Sequence, residues 1–516
     1  MVQFKTLLEI NTITWLTALS EKRGEKTTLL NVPEDLLEEK MVGYDAIWLM
    51  GVWERSEQSI RLNKYWERKN NNYENVLPNF DPDSDIVGSA YSIHQYRGNP
   101  KVGGDDGIQR IHKYLNDNDQ YLILDFVPNH VGLDHPWTVT HPEYFIRGVP
   151  EDHEFQGEKY YKVGNHVYTH GRDPYFPPWA DTLQMDAFSK SYRKASVDII
   201  SDIARLCDGI RCDMAMLMVN EIFAKNWEEH IDKTPKEEYW DYVIGKMRDN
   251  DPEFYFLAEV YWEMERDLLN LGFDACYDKG FYDLLLSEKS QQIKESLKKP
   301  VKYQSHLLRF IENHDEPRAA AKFGVDKSLA AASVIASSPS ILMIHEGQKY
   351  GHKIKTPVQL RRRPPEDEIP GLNNLYDSLV NEHISAVKNA ENFRVIQPIL
   401  QGEVKSDDFR QLKAMGYKFD ASIPKSRINP IIIAVWSSKS DGSVICSIIN
   451  YSSRKTQFMV NLEEVFDTTP LATNSDYDCD HILSHNHQEG KCDIRGDIFH
   501  LELDKWGVYV TKFSKK

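Results

Sequence analysis

Short apolar runs separated by amphipathic stretches fill the first three quarters of the chain. Residues 44–53, YDAIWLMGVW, are apolar at odd and even positions alike, so a strand formed there must be covered on both faces, as in a parallel sheet flanked by helices. Further strands are predicted at 6–12, 121–126, 209–213, 254–259, 273–276, 307–312 and 341–345. Between them, helical stretches are predicted at 15–20, 108–116, 189–206, 221–229, 240–248, 264–271, 282–297, 327–336 and 372–390. Eight strands, most of them followed by a helix, predict an α/β fold of the (β/α)8 barrel type rather than an open sheet.

Two long excursions interrupt the alternation. Residues 54–104 are Asn-rich and aromatic-rich without a clear period, and read as an irregular functional loop over the rim. Residues 135–184 carry many aromatics and prolines and read as a small subdomain inserted after the third strand. Beyond residue 396 the pattern changes to short alternating strands, such as IIIAVWSS from Ile431, VICSIINYS from Val444 and GVYVTKF from Gly507, which predicts an antiparallel β-sandwich domain. The expected organisation is a barrel from 1–134 and 185–396, an inserted subdomain at 135–184 and a C-terminal β domain at 397–516. Arg361-Arg362-Arg363, followed by two prolines, reads as a solvated loop.

Composition narrows the function classes. Of 516 residues, 41% are hydrophobic and 27% charged, which are globular values. With 62 basic against 79 acidic residues the net charge is −17, a surface that repels phosphate backbones, so nucleic acid and anionic membrane are poor partners. No run near 18 apolar residues occurs, and the first residues lack the pattern of a secretory leader. Six cysteines are sparse, and Cys207 and Cys212 fall in or beside a buried strand, so a reduced, cytoplasmic setting is expected. Cys479, His481, His485, His487 and Cys492 match no standard zinc spacing and lie among Asp, Asn and Ser; a polar loop is expected there and no metal.

Four apolar runs end directly in ionisable residues: YLILDFVPNHVG from Tyr121, CDGIRCDMAM from Cys207, FYFLAEVYW from Phe254 and LLRFIENHDEPR from Leu307. Any one of them is a weak signal, since clusters such as Asn313-His314-Asp315 also cap helices and make turns. Taken together, they place Asp125, Asn129, His130, Arg211, Asp213, Glu259, His314 and Asp315 at the carboxyl ends of barrel strands, where such folds carry their sites. Arg211, two residues before Asp213 on one strand, projects to the same face and favours an ionised Asp213.

DFVPNH, GIRCD, the AEV around Glu259 and ENHD resemble, in order, the four signature regions of the α-amylase family of glycoside hydrolases, and the resemblance covers about residues 1–396. It implies that Asp213 is the nucleophile, Glu259 the general acid/base and Asp315 a third carboxylate that stabilises an oxocarbenium-like transition state. It further implies that Tyr91 stacks on the reacting sugar, that His130 and His314 hydrogen-bond it, and that Asp125 and Asn129 support the rim, Asp125 by orienting Arg211. Negative charge from Asp213 and Asp315 is expected to raise the pKa of Glu259. Gln184-Met185-Asp186 resembles a further short motif of the family.

Departures from the family pattern bear on the substrate. Met214-Ala215-Met216-Leu217 stands where many starch-degrading members carry a Lys-His pair serving the leaving-side sugar and a calcium ion, so no cofactor is expected. Gln95 and Lys349 replace residues that are commonly acidic. The expected activity is a retaining α-glycosidase acting on α-glucans or maltooligosaccharides. A transglycosylase with a sugar hydroxyl or phosphate as acceptor stays open, with Tyr175-Phe176 or Tyr261-Trp262 as acceptor platforms. A non-catalytic amylase-like binding protein is disfavoured by the presence of all three carboxylates and the lack of a spanning segment.

Overall fold

The computed structural model describes residues 4–400, 429–466, 477–486, 492–495 and 498–515. Eight strands close a barrel: β1 (Thr6–Asn11), β2 (Ala46–Met50), β3 (Tyr121–Phe126), β4 (Gly209–Cys212), β5 (Tyr255–Ala258), β6 (Ala275–Tyr277), β7 (Leu307–Arg309) and β8 (Ile341–His345). Their order around the barrel is β1-β8-β7-β6-β5-β4-β3-β2, so neighbours in sequence are neighbours in space. All residues of β2, β4, β5 and β8 are buried, which is why these strands read as unbroken apolar runs. Register sets the chemistry of the rim. Arg211 of β4 lies opposite Asp125 of β3 and Leu257 of β5, so one cation is placed between two strand ends that carry carboxylates.

By its contacts the chain divides into two compact units. One runs from the start to Asp278 and adds His314–Glu316 and Ile354–Glu366; the other holds the remaining residues.

In the first unit, the excursion expected to be irregular contains a 14-residue helix, Glu57–Asn70, capped by the Ser56 side chain and ended by Asn71 in the left-handed region. Ile60 is its one buried apolar residue, so the apolar period that marks a helix is missing from its sequence. The inserted segment forms a three-stranded sheet from Arg147–Gly148, His166–Thr169 and Tyr160–Val163. It returns through Thr182–Gln184, which pairs antiparallel with His130–Gly132. The arginine run is not a solvated loop. Arg362 forms a two-pronged ion pair with buried Asp85, at 2.7 and 2.8 Å, and Arg361 approaches the same carboxylate at 3.4 Å.

The second unit contains two antiparallel sheets. Five strands, Asn392–Ile396, Ile431–Ser437, Val444–Asn450, Val508–Lys515 and Tyr477–His485, make one; Ile399–Leu400, Thr456–Asn461, Ile498–Leu503 and Cys492–Arg495 make the other. Ile431, Ile433 and Val435 pack with Phe458, Val460 and Leu501 in a shared core, as a sandwich requires. The alternate positions Ile432 and Ala434 are buried as well, which explains the unbroken IIIAV run. Residues 477–485 were expected as a polar loop and form a strand instead. Their polar side chains alternate along it and bond separately: Cys479 lies 3.0 Å from the Thr511 hydroxyl, His481 2.7 Å from that of Tyr509, and His485 3.1 Å from Asp326. His487 lies outside the described residues. Among the described residues no helix is long and apolar enough to cross a membrane.

Candidate active site

Arg211 is the centre of the site. Strand alternation puts Arg211 and Asp213 on one side of β4 and its continuation, with Ile210 and Cys212 on the other. The fully buried guanidinium lies 2.6 Å from Oδ1 of Asp213 through Nη1 and 2.8 Å from Oε2 of Glu259 through Nη2, with Asp125 at 3.6 Å. It also lies within 5.0–5.8 Å of the ring centres of Trp48, Tyr91 and Tyr277. Burial alone would lower its pKa. The carboxylates of Glu259 and Asp213 and the phenols of Tyr91 and Tyr277 outweigh that and hold it well above the ordinary value.

The carboxylates around it differ in environment. Burial pushes Asp125 up to about 6 against the opposing pull of Arg211 and His314. Burial also raises Asp213 above the ordinary carboxylate range, with Arg211 opposing. Burial pushes Glu259 up to about 7, again against Arg211; the charges of Asp213 and Asp315 add to the rise, in the direction expected from the sequence, and burial is the larger cause. Oε2 of Glu259 accepts from the Met214 amide at 2.7 Å and is ion-paired with Arg211, while Oε1 accepts from the Tyr261 hydroxyl at 2.9 Å. Met214 makes its bond by adopting a left-handed conformation, φ 44°, unusual for a side-chain-bearing residue. The turn also aims the Ala215 amide at the Glu259 carbonyl, 3.0 Å away.

Asp315 is of another kind: half-exposed, with its Oδ2 3.0 Å from Nε2 of buried His314. Burial is opposed there by the His314 charge and hydrogen bond, which hold Asp315 well below the usual carboxylate range. The imidazole is stacked on Tyr91, centres 5.3 Å apart, and its Nε2 lies 2.7 Å from the Tyr91 hydroxyl. Its Nδ1 lies 2.5 Å from Oε1 of Glu9. The Lys355 ammonium donates to the Asp315 carbonyl.

Arg211, Asp125, Asp213, Glu259, His314, Asp315 and Tyr91 are thus brought together. Asn129 and His130 stand apart from them: no hydrogen bond or ring contact joins either to the carboxylate cluster among the described residues. Asn129 Oδ1 accepts from Gln184 at 2.9 Å, tying the first signature to the QMD motif across the two-stranded pairing. His130 lies against Trp179, centres 5.0 Å apart, and burial pushes its pKa down to about 3, so it is neutral.

No protein-family model matches the chain. Over 296 residues, 54% of the chain, it is 22% identical to alpha-amylase 3 of Dictyoglomus thermophilum. Over that stretch the chain is similar in sequence to α-amylases. The match covers 56% of that relative, little more than half its length. The likeness of fold extends over nearly the whole chain. A noncanonic maltogenic α-amylase from Thermotoga neapolitana superposes with a TM-score of 0.62 at 15% identity, over 99% of this chain and 98% of that one. A debranching enzyme from Nostoc punctiforme superposes with a TM-score of 0.62 at 13% identity, over 98% of each chain.

Two features of the site lie outside the four signature stretches. Ala215–Met218, after Asp213, is a buried apolar 3-10 turn that offers a cation no side-chain oxygen. Glu9, Tyr261 and Tyr277 join the site although the signature motifs do not contain them. Glu9 had a signal: it is the lone charge in the apolar run TLLEIN. Tyr261 was expected only as half of an acceptor platform with Trp262, and Tyr277 is an aromatic residue in an apolar strand that nothing in sequence distinguishes from core.

Proposed function

We propose that the protein is a retaining α-glycosidase acting on α-glucosidic bonds of α-glucans or maltooligosaccharides. The observation that carries this reading is the bridging of Asp213 and Glu259 by one guanidinium. Two carboxyl groups held by the two nitrogens of Arg211 are close neighbours, and a retaining displacement needs its pair about 5 to 5.5 Å apart. Glu259, with its pKa near 7, keeps a proton to give. It protonates the glycosidic oxygen as the bond to the anomeric carbon breaks. Asp213 forms the new bond to that carbon, and the anionic Asp315 stabilises the positive charge that develops on the sugar. A hydroxyl then attacks the glycosyl ester, giving its proton to Glu259 and releasing Asp213.

Whether that hydroxyl belongs to water or to a second sugar decides between hydrolysis and transfer. Transfer is favoured by the exposed Tyr175 and Trp262 rings, in edge contact with centres 5.2 Å apart, because aromatic faces hold sugars and exclude water. We place the reaction in the cytoplasm, in keeping with the buried free thiols of Cys207, Cys212, Cys276 and Cys446.

The test is incubation with maltooligosaccharides of defined length, with and without phosphate, followed by product analysis. Only shorter products mean hydrolysis, longer ones transfer, and a sugar phosphate means phosphate as acceptor. Asp213→Asn should fold normally and lose at least about a thousandfold in kcat; near wild-type turnover in that variant contradicts the assignment.

A further inference from the structure

Glu9 lies on β1, fully buried, with Trp48 of β2 as its register partner. Its Oε1 is 2.5 Å from Nδ1 of His314 and 3.3 Å from the His314 backbone nitrogen. On the far side of the same ring, Nε2 lies 3.0 Å from Oδ2 of Asp315 and 2.7 Å from the Tyr91 hydroxyl. The imidazole is therefore clamped between two carboxylates, one from the first strand and one from the segment after the seventh.

A neutral imidazole carries one N–H and one lone pair. Set between two carboxylate oxygens, it would turn that lone pair against one of them. An imidazolium donates on both sides and satisfies both. We propose that Glu9 is a positioning residue that locks His314 in the doubly protonated state and, through it, holds Asp315 ionised and in place. The role of Asp315 in that statement rests on the glycosidase reading above; the protonation state of His314 does not.

The surrounding charges agree with this assignment. Asp125 faces His314 from β3 and Arg211 acts on Asp315 from β4, while Tyr91 closes the ring's face and Trp48 meets its edge. Tyr277, on β6, feels the Glu9 charge, and Lys355 donates to the Asp315 backbone. Burial on its own would drive the imidazole towards neutrality. The charges and hydrogen bonds of Asp315 and Glu9 overcome it and push His314 up to about 10. With Nε2 donating, the Tyr91 hydroxyl can accept from it and keep its own proton for another acceptor. A carboxylate-histidine-carboxylate chain of this kind fixes the third carboxylate against rotation in the way that a second carboxylate fixes a metal-bound histidine.

The test replaces the charge and keeps the shape. Glu9→Gln retains an oxygen acceptor for the ring and backbone N–H groups and removes the negative charge; Glu9→Asp restores the charge at shorter reach. Imidazole 15N shifts of His314, assigned by the signal lost in His314→Asn, report protonation whether or not the protein turns over any sugar. The expected result is both nitrogens protonated at pH 8 in the wild type and in Glu9→Asp, and a titrating, partly neutral ring in Glu9→Gln. With maltooligosaccharide, kcat of Glu9→Gln should fall roughly tenfold at pH 8, equivalent to a one-unit shift, recover towards pH 6 and leave KM little changed. A neutral His314 in the wild type at pH 8 overturns the proposal, and this result is available even if Glu9→Gln does not fold. A folded Glu9→Gln whose His314 stays doubly protonated overturns it as well. Correct 15N shifts together with no α-glucosidic turnover would count against the glycosidase reading and leave the Glu9 assignment standing.

Discussion

The Tyr261 hydroxyl donates to Oε1 of Glu259 at 2.9 Å, while Arg211 and the Met214 amide occupy Oε2. One carboxyl oxygen is thus held by a backbone amide and the guanidinium charge, and the other, beside a rotatable hydroxyl, is the one that can carry the proton. Tyr261→Phe removes a donor that favours the ionised form, so the pKa of Glu259 should rise. The alkaline limb of kcat/KM should move up by less than about one pH unit, with kcat reduced several-fold. An unmoved limb would mean that the hydrogen bond is not made in the free enzyme.

The wild-type pH profile follows from the same residue. The active form of Glu259 is protonated, and its pKa is raised to about 7, chiefly by burial. Activity should therefore be retained below pH 7 and lost as pH rises through that value, about tenfold per unit beyond it. An alkaline limb above pH 9 in the wild type would exclude Glu259 as the acid.

Chelation should leave activity and thermal midpoint unchanged, because the Ala215–Met218 turn is apolar and buried. A loss with chelator that added calcium restores would contradict this.

Asp85→Asn removes the charge that Arg361 and Arg362 grip, in a carboxyl buried beside the Leu77, Ile86 and Leu360 cluster. The loss should be about 2 kcal/mol, discounted from fully buried pairs because both arginines are partly exposed. Denaturant unfolding measures it. An unchanged midpoint would show that the pair contributes nothing.

Much of the barrel was legible because its strands are buried on both faces, and such strands leave unbroken apolar runs. The eighth strand was read at 341–345 and spans Ile341–His345. The seventh was read as 307–312 but its ladder ends at Arg309; Phe310, Ile311 and Glu312 stay buried after leaving it, and burial alone looks like a strand in sequence. Glu57–Asn70 was illegible because it buries almost nothing apolar. At the site, the motif carboxylates converge on Arg211 because β3, β4 and β5 are adjacent and in register, a consequence of barrel order. Tyr261 reaches Glu259 ahead of a backbone turn with Trp262 and Glu263 both at φ 61°, a conformation that no residue type there announces.

The retaining double displacement is tested most directly by proton NMR of the anomeric region during the first minutes of maltooligosaccharide cleavage. The α-anomer of the newly formed reducing end should appear first and mutarotate to the β-anomer afterwards. Initial release of the β-anomer would mean single displacement by water and would contradict Asp213 as the nucleophile.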